Sequence, residues 1–117
     1  MRDRYAAYNG IGFDWQACLA HIITNAKDIS REHALLPKGE QDAAVVHFCD
    51  RVTLLCSRAC EVGRKLKSGE IPWEDAANIK KRFINELLGI CKRPLSFKPA
   101  ETLRTFFIDP EDILHRL

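Results

Sequence analysis

Residues 40–68 of the chain read EQDAAVVHFCDRVTLLCSRACEVGRKLKS, and this stretch decides the fold. Apolar side chains recur in it at alternating steps of three and four residues, the spacing that places them on one face of an α-helix. The members of this apolar stripe are Val45, Phe48, Val52, Leu55, Ala59, Val62 and Leu66. The stretch predicts a long amphipathic helix from Glu40 to Ser68, which Gly69 is suited to end, and such a helix needs other elements to cover its apolar face.

Three further segments carry helical patterns, and proline or glycine separates them. They run from Leu19 to His33, from Pro72 to Cys91 or Lys92, and from near Pro99 to the Asp109–Pro110 pair, which starts a last short turn. Pro72 suits a first helical position because its backbone angle is already helical. The chain therefore predicts a mainly α fold, an antiparallel bundle of about four helices in a single domain of residues 1–117.

The beginning of the chain follows a different period. Apolar and polar residues alternate from Ile11 to Ala17, which is the pattern of a half-buried strand. A lone strand leaves its backbone donors and acceptors unpaired. Either this segment is a short N-terminal strand that pairs with a second copy of the chain, or it is not a strand here.

Composition narrows the class of protein. A hydrophobic share of 46% with 29% charged residues is ordinary for a globular protein. No apolar run approaches the ~20 residues that cross a bilayer, and the start of the chain lacks the apolar stretch of a secretion signal. The five cysteines are an odd number, and most of them lie among apolar residues. We therefore predict reduced core thiols, a cytoplasmic location and no membrane partner.

Positive charge is concentrated in the second half of the chain. Between Arg58 and Lys98 ten Lys or Arg stand against five Asp or Glu, an excess of +5 within a net charge of +2. The candidate DNA-binding residues are Lys80, Lys81, Arg82, Arg64 and Lys65. Such side chains gain affinity for DNA by releasing counterions from its phosphates. The alternative is a solvated helix face, which is the commoner role of a charge run.

Cys18 and His21 lie three residues apart, a spacing that can place both side chains on one helical face. Thiolate and imidazole are zinc ligands, but two ligands do not make a structural zinc site. We therefore favour packing and hydrogen bonding for this pair, and we expect no cofactor in the isolated chain.

Two short motifs carry a resemblance to a known family. Asp3–Asn9 (DRYAAYN), Gln16–His21 (QACLAH) and then Asn25–Lys27 are similar to a stretch of the DDE transposases of bacterial insertion sequences. In that family an Asp-x-x-x-x-Tyr pattern follows a strand of an RNase H-like sheet, and a Cys-x-x-His pattern follows at the start of a helix. Asp3 with Tyr8 and Cys18 with His21 reproduce these spacings. Leu103–Pro110 resembles the helix that precedes the family's Asn-Asn-x-x-Glu motif.

The resemblance implies a domain layout and a chemistry. Residues 1–18 would be the edge of an RNase H-like catalytic core, with the short N-terminal strand left from its sheet, and residues 19–117 would be a helical insertion region. Asp3 would be a catalytic residue and a Mg²⁺ ligand in the intact enzyme, which cleaves and transfers DNA strands with two metal ions. The family's other two carboxylates lie outside this sequence. One carboxylate cannot assemble two Mg²⁺ ions, so we expect a transposase fragment that is not an enzyme as an isolated chain.

An alternative from a different class is a small helical protein-interaction or dimerisation module without catalytic activity. The apolar stripe between Val45 and Leu66 and the edge of the N-terminal strand could each pair with a second copy, so we expect a homodimer. Salt-dependent DNA binding would favour the transposase hypothesis. A stable dimer indifferent to DNA would favour the interaction module.

Overall fold

The bundle consists of α-helices joined by short connections. The computed structural model describes the backbone of residues 13–108 and the side chains of residues 18–108. Its helices are α1 (Phe13–Ala34), α2 (Ala43–Ser68), α3 (Ala76–Ile90) and α4 (Lys98–Ile108). Short 3₁₀ turns at Lys38–Glu40 and Trp73–Asp75 lie before α2 and α3. The predicted mainly α fold of about four helices is confirmed for these residues. The turn predicted at Asp109–Pro110 lies outside them.

A capping residue fixes the start of α2, and a glycine fixes its end. Asp42 precedes the helix in an extended conformation, and its carboxylate accepts a hydrogen bond from the backbone N–H of Ala44 at 2.9 Å. Such a cap satisfies one of the backbone donors left over at a helix start. Gly69 ends the helix with a left-handed φ of 88°, and its N–H donates to the carbonyl of Leu66. The predicted helix and its glycine stop are confirmed, with a start three residues later than Glu40.

The predicted strand is wrong for the part that the structure describes. Residues Phe13–Ala17 are the first five residues of α1. Ile11, the first residue of the predicted strand, lies outside the described residues. Alternation over so few positions does not distinguish a strand from a helix start. Phe13–Ala17 contains no β-branched residue, and although the aromatic Phe13 and Trp15 are common in strands, the helical pattern that follows continues back through them.

The hydrophobic core lies between α1 and α2 and is closed by α3 and α4. All members of the apolar stripe of α2 are buried except Val62, which is half-buried. The other helices contribute the buried side chains Leu19, Ile22, Ala26, Ile29, Phe83, Leu87, Ala100, Leu103 and Phe107. The chain therefore covers the α2 stripe with its own helices. That stripe is not available as the dimer surface predicted from the sequence.

The cysteines belong mostly to this core. All five are reduced; Cys49, Cys56 and Cys91 are buried, whereas Cys18 and Cys60 are half-buried. Burial raises the pKa of Cys56 to about 12, with the neighbouring Cys60 and Cys18 thiols adding to the effect. Their placement agrees with the predicted core thiols.

None of the helices between residues 13 and 108 is both long enough and apolar enough to span a membrane.

Candidate functional site

An open groove of about 740 Å³ separates α1 from α4. Phe97, just before α4, stacks edge-on against His33 near the end of α1, with ring centroids 5.3 Å apart, so α4 begins beside the end of α1. The groove is lined by Cys18, His21, Ile22, Asn25, Asp28, Ile29, Glu32, Lys98, Pro99, Thr102, Leu103 and Phe106. We call this cleft the α1–α4 groove.

The α1 wall of the groove carries a row of polar side chains. They follow one another at steps of three and four residues, as Cys18, His21, Asn25, Asp28 and Glu32. Cys18 and His21 therefore share one helical face, as predicted. Cys18 packs against the core, whereas His21 is exposed. Within the part of the chain that the structure describes, no three His, Cys, Asp or Glu side chains come close enough together to hold a metal ion.

A buried histidine joins three segments at one end of the groove. The Nε2 atom of His33, whose side chain is 1% exposed, accepts a hydrogen bond from the backbone N–H of Asp42 at 2.9 Å. The carboxylate of Asp42 accepts a second bond from the Ser96 hydroxyl at 2.8 Å. The bond from Ser96, and after it the bond from the Ala44 N–H, lower the pKa of Asp42 below its ordinary value. His33, Asp42 and Ser96 thus connect α1, the start of α2 and the loop before α4.

A second network fixes α4 itself. Arg104 is 8% exposed and forms two hydrogen bonds to the carboxylate of Glu101, at 2.8 and 2.6 Å. Its third donor binds the carbonyl of Cys91 at 3.0 Å, and Glu101 also accepts from the backbone N–H of Leu95 at 2.7 Å. The Arg104 guanidinium and then the Leu95 N–H lower the pKa of Glu101 to about 2. The pair holds the loop from Cys91 to Phe97 against α4.

Neither hydrogen-bond network was predicted from the sequence, although the spacing of the residues in each one is consistent with it. His33 continues the apolar row of α1 four residues after Ile29, a position where a buried side chain is expected. Glu101 and Arg104 lie three residues apart on a helix, the spacing at which opposite charges meet. The first network ties the loop before α4 to α1, and the second ties α4 to that loop, so together they position α4 beside the α1–α4 groove.

The predicted basic residues do not form one surface. Lys80, Lys81 and Arg82 follow one another on α3, so their side chains leave the helix about 100° apart and together span about 200° of its circumference. Lys80 is half-buried, and the other two are exposed. Arg64 forms an ion pair with Glu61 on α2.

A more regular row of cations lies on the exposed surface of α2, and part of it borders α3. Arg51, Arg58 and Lys65 are exposed and seven residues apart, which is nearly two helical turns. The two arginines border a crevice of about 230 Å³ with Leu54, Leu55, Glu86 and Ile90. We call Arg51, Arg58 and Lys65 the α2 basic row. Only Lys65 of these three is among the DNA-binding residues predicted from the sequence, because that prediction followed local charge density and not the helical period.

Asp3 and Tyr8, the residues that carry the catalytic part of the resemblance, lie outside the described residues. Comparison of the chain with protein-family models, with curated proteins and with solved structures found no match.

Proposed function

We propose that the chain is a non-catalytic, DNA-contacting helical region of an insertion-sequence transposase, acting in the cytoplasm. The sequence motifs around Asp3, Tyr8, Cys18 and His21 support the family. The observation that supports contact with DNA is the α2 basic row.

Helix geometry gives the row its reach. Residues seven apart lie about 10.5 Å apart along the axis and drift by only about 20° around it, so the three cations follow one line about 21 Å long. Duplex DNA presents one negative charge per about 1.7 Å of axis. A straight row of cations therefore meets several phosphates at once. Contacts to phosphates position a protein on DNA without reading bases, so this binding is sequence-tolerant.

A neighbouring carboxylate limits the affinity of the α2 basic row for DNA. Glu86 of α3 lies across the crevice from Arg51 and Arg58 and reduces the positive potential between them. The whole chain also has a net charge of only +2. Binding is therefore weak and strongly salt-dependent.

Catalysis is not part of the proposal. Strand cleavage in this family requires two Mg²⁺ ions held by several carboxylates. The described residues contain no such cluster and do not fit a Mg²⁺ pair. The isolated chain should neither nick nor join DNA with Mg²⁺ or Mn²⁺, and metal-dependent nicking that survives Asp3→Ala would contradict this.

The experiment compares two variants of equal charge. One carries Arg51→Ala, Arg58→Ala and Lys65→Ala. The control carries Lys27→Ala, Lys38→Ala and Arg93→Ala, three exposed cations outside the row. Fluorescence anisotropy with a nonspecific duplex of about 20 base pairs measures affinity across a salt series. The row variant should bind more weakly, and its salt slope should fall by about 0.9 for each phosphate that it no longer neutralises, whereas the control keeps most of both. If DNA affinity fell equally in the two variants, net charge alone would explain the loss. That result would contradict the proposal that the α2 basic row contacts DNA.

A second candidate is the helical protein-interaction module, which the α1–α4 groove favours. Open grooves between helices accept amphipathic helices. Homodimerisation also stays a prediction: sedimentation equilibrium at micromolar concentration distinguishes a dimer from a monomer of 13.4 kDa. Binding of a partner or a dimer that ignores DNA would favour this candidate over the first.

A further inference from the structure

A small crevice lies between α2 and α3, beside the α2 basic row. It is lined by Arg51, Leu54, Leu55 and Arg58 of α2 and by Glu86 and Ile90 of α3. We call this cleft the α2–α3 crevice. Its volume of about 230 Å³ is below the roughly 300 Å³ at which pockets for drug-sized ligands begin. The α2–α3 crevice therefore suits a single small ring system.

The α2 side of the crevice places apolar surface between two cations. Arg51, Leu54, Leu55 and Arg58 follow one another at helical spacing and share one face of α2. The two arginines are about 10.5 Å apart along the helix axis, and the leucines lie between them. Leu55 is buried, whereas Leu54 is 49% exposed. The fold itself thus leaves apolar surface uncovered between the two guanidinium groups.

The charged groups at the crevice are not paired with one another. Within residues 18–108, neither Arg51, Arg58 nor Glu86 takes part in an ion pair. Arg82 is exposed and lies one turn before Glu86 on α3, so the four groups have a net charge of +2. The two carboxylates of α2 are engaged elsewhere: they are Asp50, which borders a cleft at the start of the helix, and Glu61, which is paired with Arg64. The crevice therefore attracts an anion.

A nucleotide combines the groups that this crevice can bind. Arginine side chains bind phosphate through forked, charge-assisted hydrogen bonds. Apolar side chains such as Leu54 and Ile90 can contact the faces of a base that has left its stack, and hydrogen bonds then read its Watson–Crick edge. An ionised carboxylate only accepts hydrogen bonds, so the edge that meets Glu86 must present N–H donors.

Guanine is the DNA base that matches this acceptor. Its Watson–Crick edge presents two adjacent donors, N1–H and N2–H, which suit the two oxygens of one carboxylate. Adenine and cytosine present an amino donor beside an acceptor nitrogen, and thymine presents one N–H between two carbonyl oxygens. In a duplex the pairing partner occupies this edge, so only an unpaired guanine can meet Glu86.

We propose that the α2–α3 crevice receives one unpaired guanine of a DNA strand, while Arg51 and Arg58 hold the phosphates on either side of it. This inference rests on the proposed contact of the α2 basic row with DNA and adds a base that the row does not read. Glu86, which opposes the phosphates of a duplex, selects the base of an unpaired nucleotide. A nucleotide that is already outside the stack is the preferred occupant, because inserting it costs the least unstacking energy.

The test compares DNA probes that differ at one nucleotide. Two labelled duplexes of about 20 base pairs carry a central extrahelical nucleotide, dG in one and dT in the other, and a third duplex is fully paired. Because the flanking sequence is the same, the two bulged probes have equal backbone charge. Fluorescence anisotropy with the full chain should show that the dG bulge binds about tenfold more tightly than the dT bulge, the discrimination typical of one bidentate contact to a base.

Two variants and two controls locate the preference. Glu86→Gln should reduce the ratio of dG to dT affinity to about twofold, although removal of the carboxylate should strengthen binding of the paired duplex. Leu54→Ala should weaken binding of the dG bulge and leave the paired duplex unchanged. Glu74→Gln and Leu88→Ala, at exposed positions outside the crevice, should keep the tenfold ratio of the parent. Circular dichroism checks that each variant keeps the parent's helix content.

Three outcomes would overturn the inference. One is equal affinity of the parent for the dG and dT bulges. Another is a Glu86→Gln variant that binds all three probes more tightly by the same factor, since charge alone would then explain the role of Glu86. The third is complete displacement of the dG bulge by free dGMP at about 1 mM, which would assign the crevice to a free nucleotide. Free dGMP has one phosphate for the two arginines and should not compete.

Failure of this inference can be distinguished from failure of the proposed function. If the Arg51→Ala, Arg58→Ala, Lys65→Ala variant binds the paired duplex as tightly as its charge-matched control, contact of the α2 basic row with DNA is wrong. If that variant loses affinity for the paired duplex but the parent binds the dG and dT bulges equally, only the reading of guanine by Glu86 is wrong.

Discussion

The imidazole of His33 accepts a hydrogen bond from the backbone N–H of Asp42, across the connection between α1 and α2. An Nε2 atom that accepts a hydrogen bond must be unprotonated, so the ring carries its proton on Nδ1. This bond satisfies a backbone donor next to the start of α2, where helix geometry leaves donors without partners.

His33→Leu should destabilise the fold by about 1–3 kcal/mol, because it keeps apolar volume but leaves the Asp42 N–H without its acceptor. His33→Gln, whose side-chain oxygen can accept the bond, should recover part of the loss. His47→Ala, at an exposed site of α2, should change stability by no more than about 0.5 kcal/mol. Urea unfolding followed by circular dichroism measures all three. An unchanged His33→Leu variant would show that water replaces the imidazole at no cost.

The ion pair of Glu101 and Arg104 should make stability fall in acid. The pKa of Glu101 is lowered from 4.5 to about 2 by Arg104 and the Leu95 N–H. A carboxyl group with a lowered pKa in the fold stabilises it fully above the ordinary pKa, and this contribution is lost as pH falls through the folded pKa. The loss should therefore run from about pH 4.5 to pH 2.

Glu101→Gln identifies this contribution. The variant should be less stable than the parent at neutral pH and should approach it towards pH 2, because both then lack the carboxylate. Asp42 also has a lowered pKa and acts in the same direction, so it should leave a smaller acid dependence in the variant. Urea midpoints at a series of pH values give the comparison. Parallel curves for parent and variant would remove Glu101 as a cause.

Two glycines should respond to alanine with opposite signs. Gly69 has a φ of 88°, which alanine adopts at a cost of about 1 kcal/mol or more, although nothing lies within 4 Å of an added Cβ atom. Gly89 lies within α3 without such an angle and also has open space around it. Gly89→Ala should stabilise the chain by about 0.5–1 kcal/mol through helix propensity. Thermal unfolding of both variants decides the matter, and two shifts of the same sign would contradict the backbone argument.

The thiols should react in an order set by burial. Burial raises the pKa of Cys49 and of Cys91 to about 11 and of Cys56 to about 12, so little thiolate is present at pH 8. N-ethylmaleimide followed by peptide mass spectrometry should label the half-buried Cys18 first in the folded chain and these three only after denaturation. Rapid labelling of Cys56 without denaturant would mean that α1 separates from α2.

Helices were predicted most accurately from the sequence where the apolar residues keep one spacing over many turns. The stripe of α2 holds one spacing over more than five turns, so its helix and its buried face could be predicted together. Phe13–Ala17 is too short for its period to decide between strand and helix. Residues before Phe13, including Asp3 and Tyr8, lie outside the described structure, so the catalytic part of the resemblance stays a prediction.

The candidate sites were harder to predict because they depend on which helices become neighbours. The row from Cys18 to Glu32 is visible in the sequence, but the wall opposite it comes from α4, some seventy residues later. The role of Arg104 likewise depends on the carbonyl of Cys91, which no side-chain pattern encodes. Lys80–Arg82 were predicted to bind DNA because they are adjacent in sequence. In a helix, however, residues seven apart share one face, as Arg51, Arg58 and Lys65 do.

The bond between Ser96 and Asp42 spans 54 positions of the chain, whereas the bond between Asp42 and His33 spans nine. The entropy of closing a flexible loop grows with the logarithm of its length, so the longer closure costs about 1.6 kcal/mol more. The hairpin of α1 and α2 can thus form early, from local contacts, and α4 docks afterwards. During synthesis the hairpin leaves the ribosome first, and it must hold its apolar faces together until α3 and α4 arrive to close the bundle.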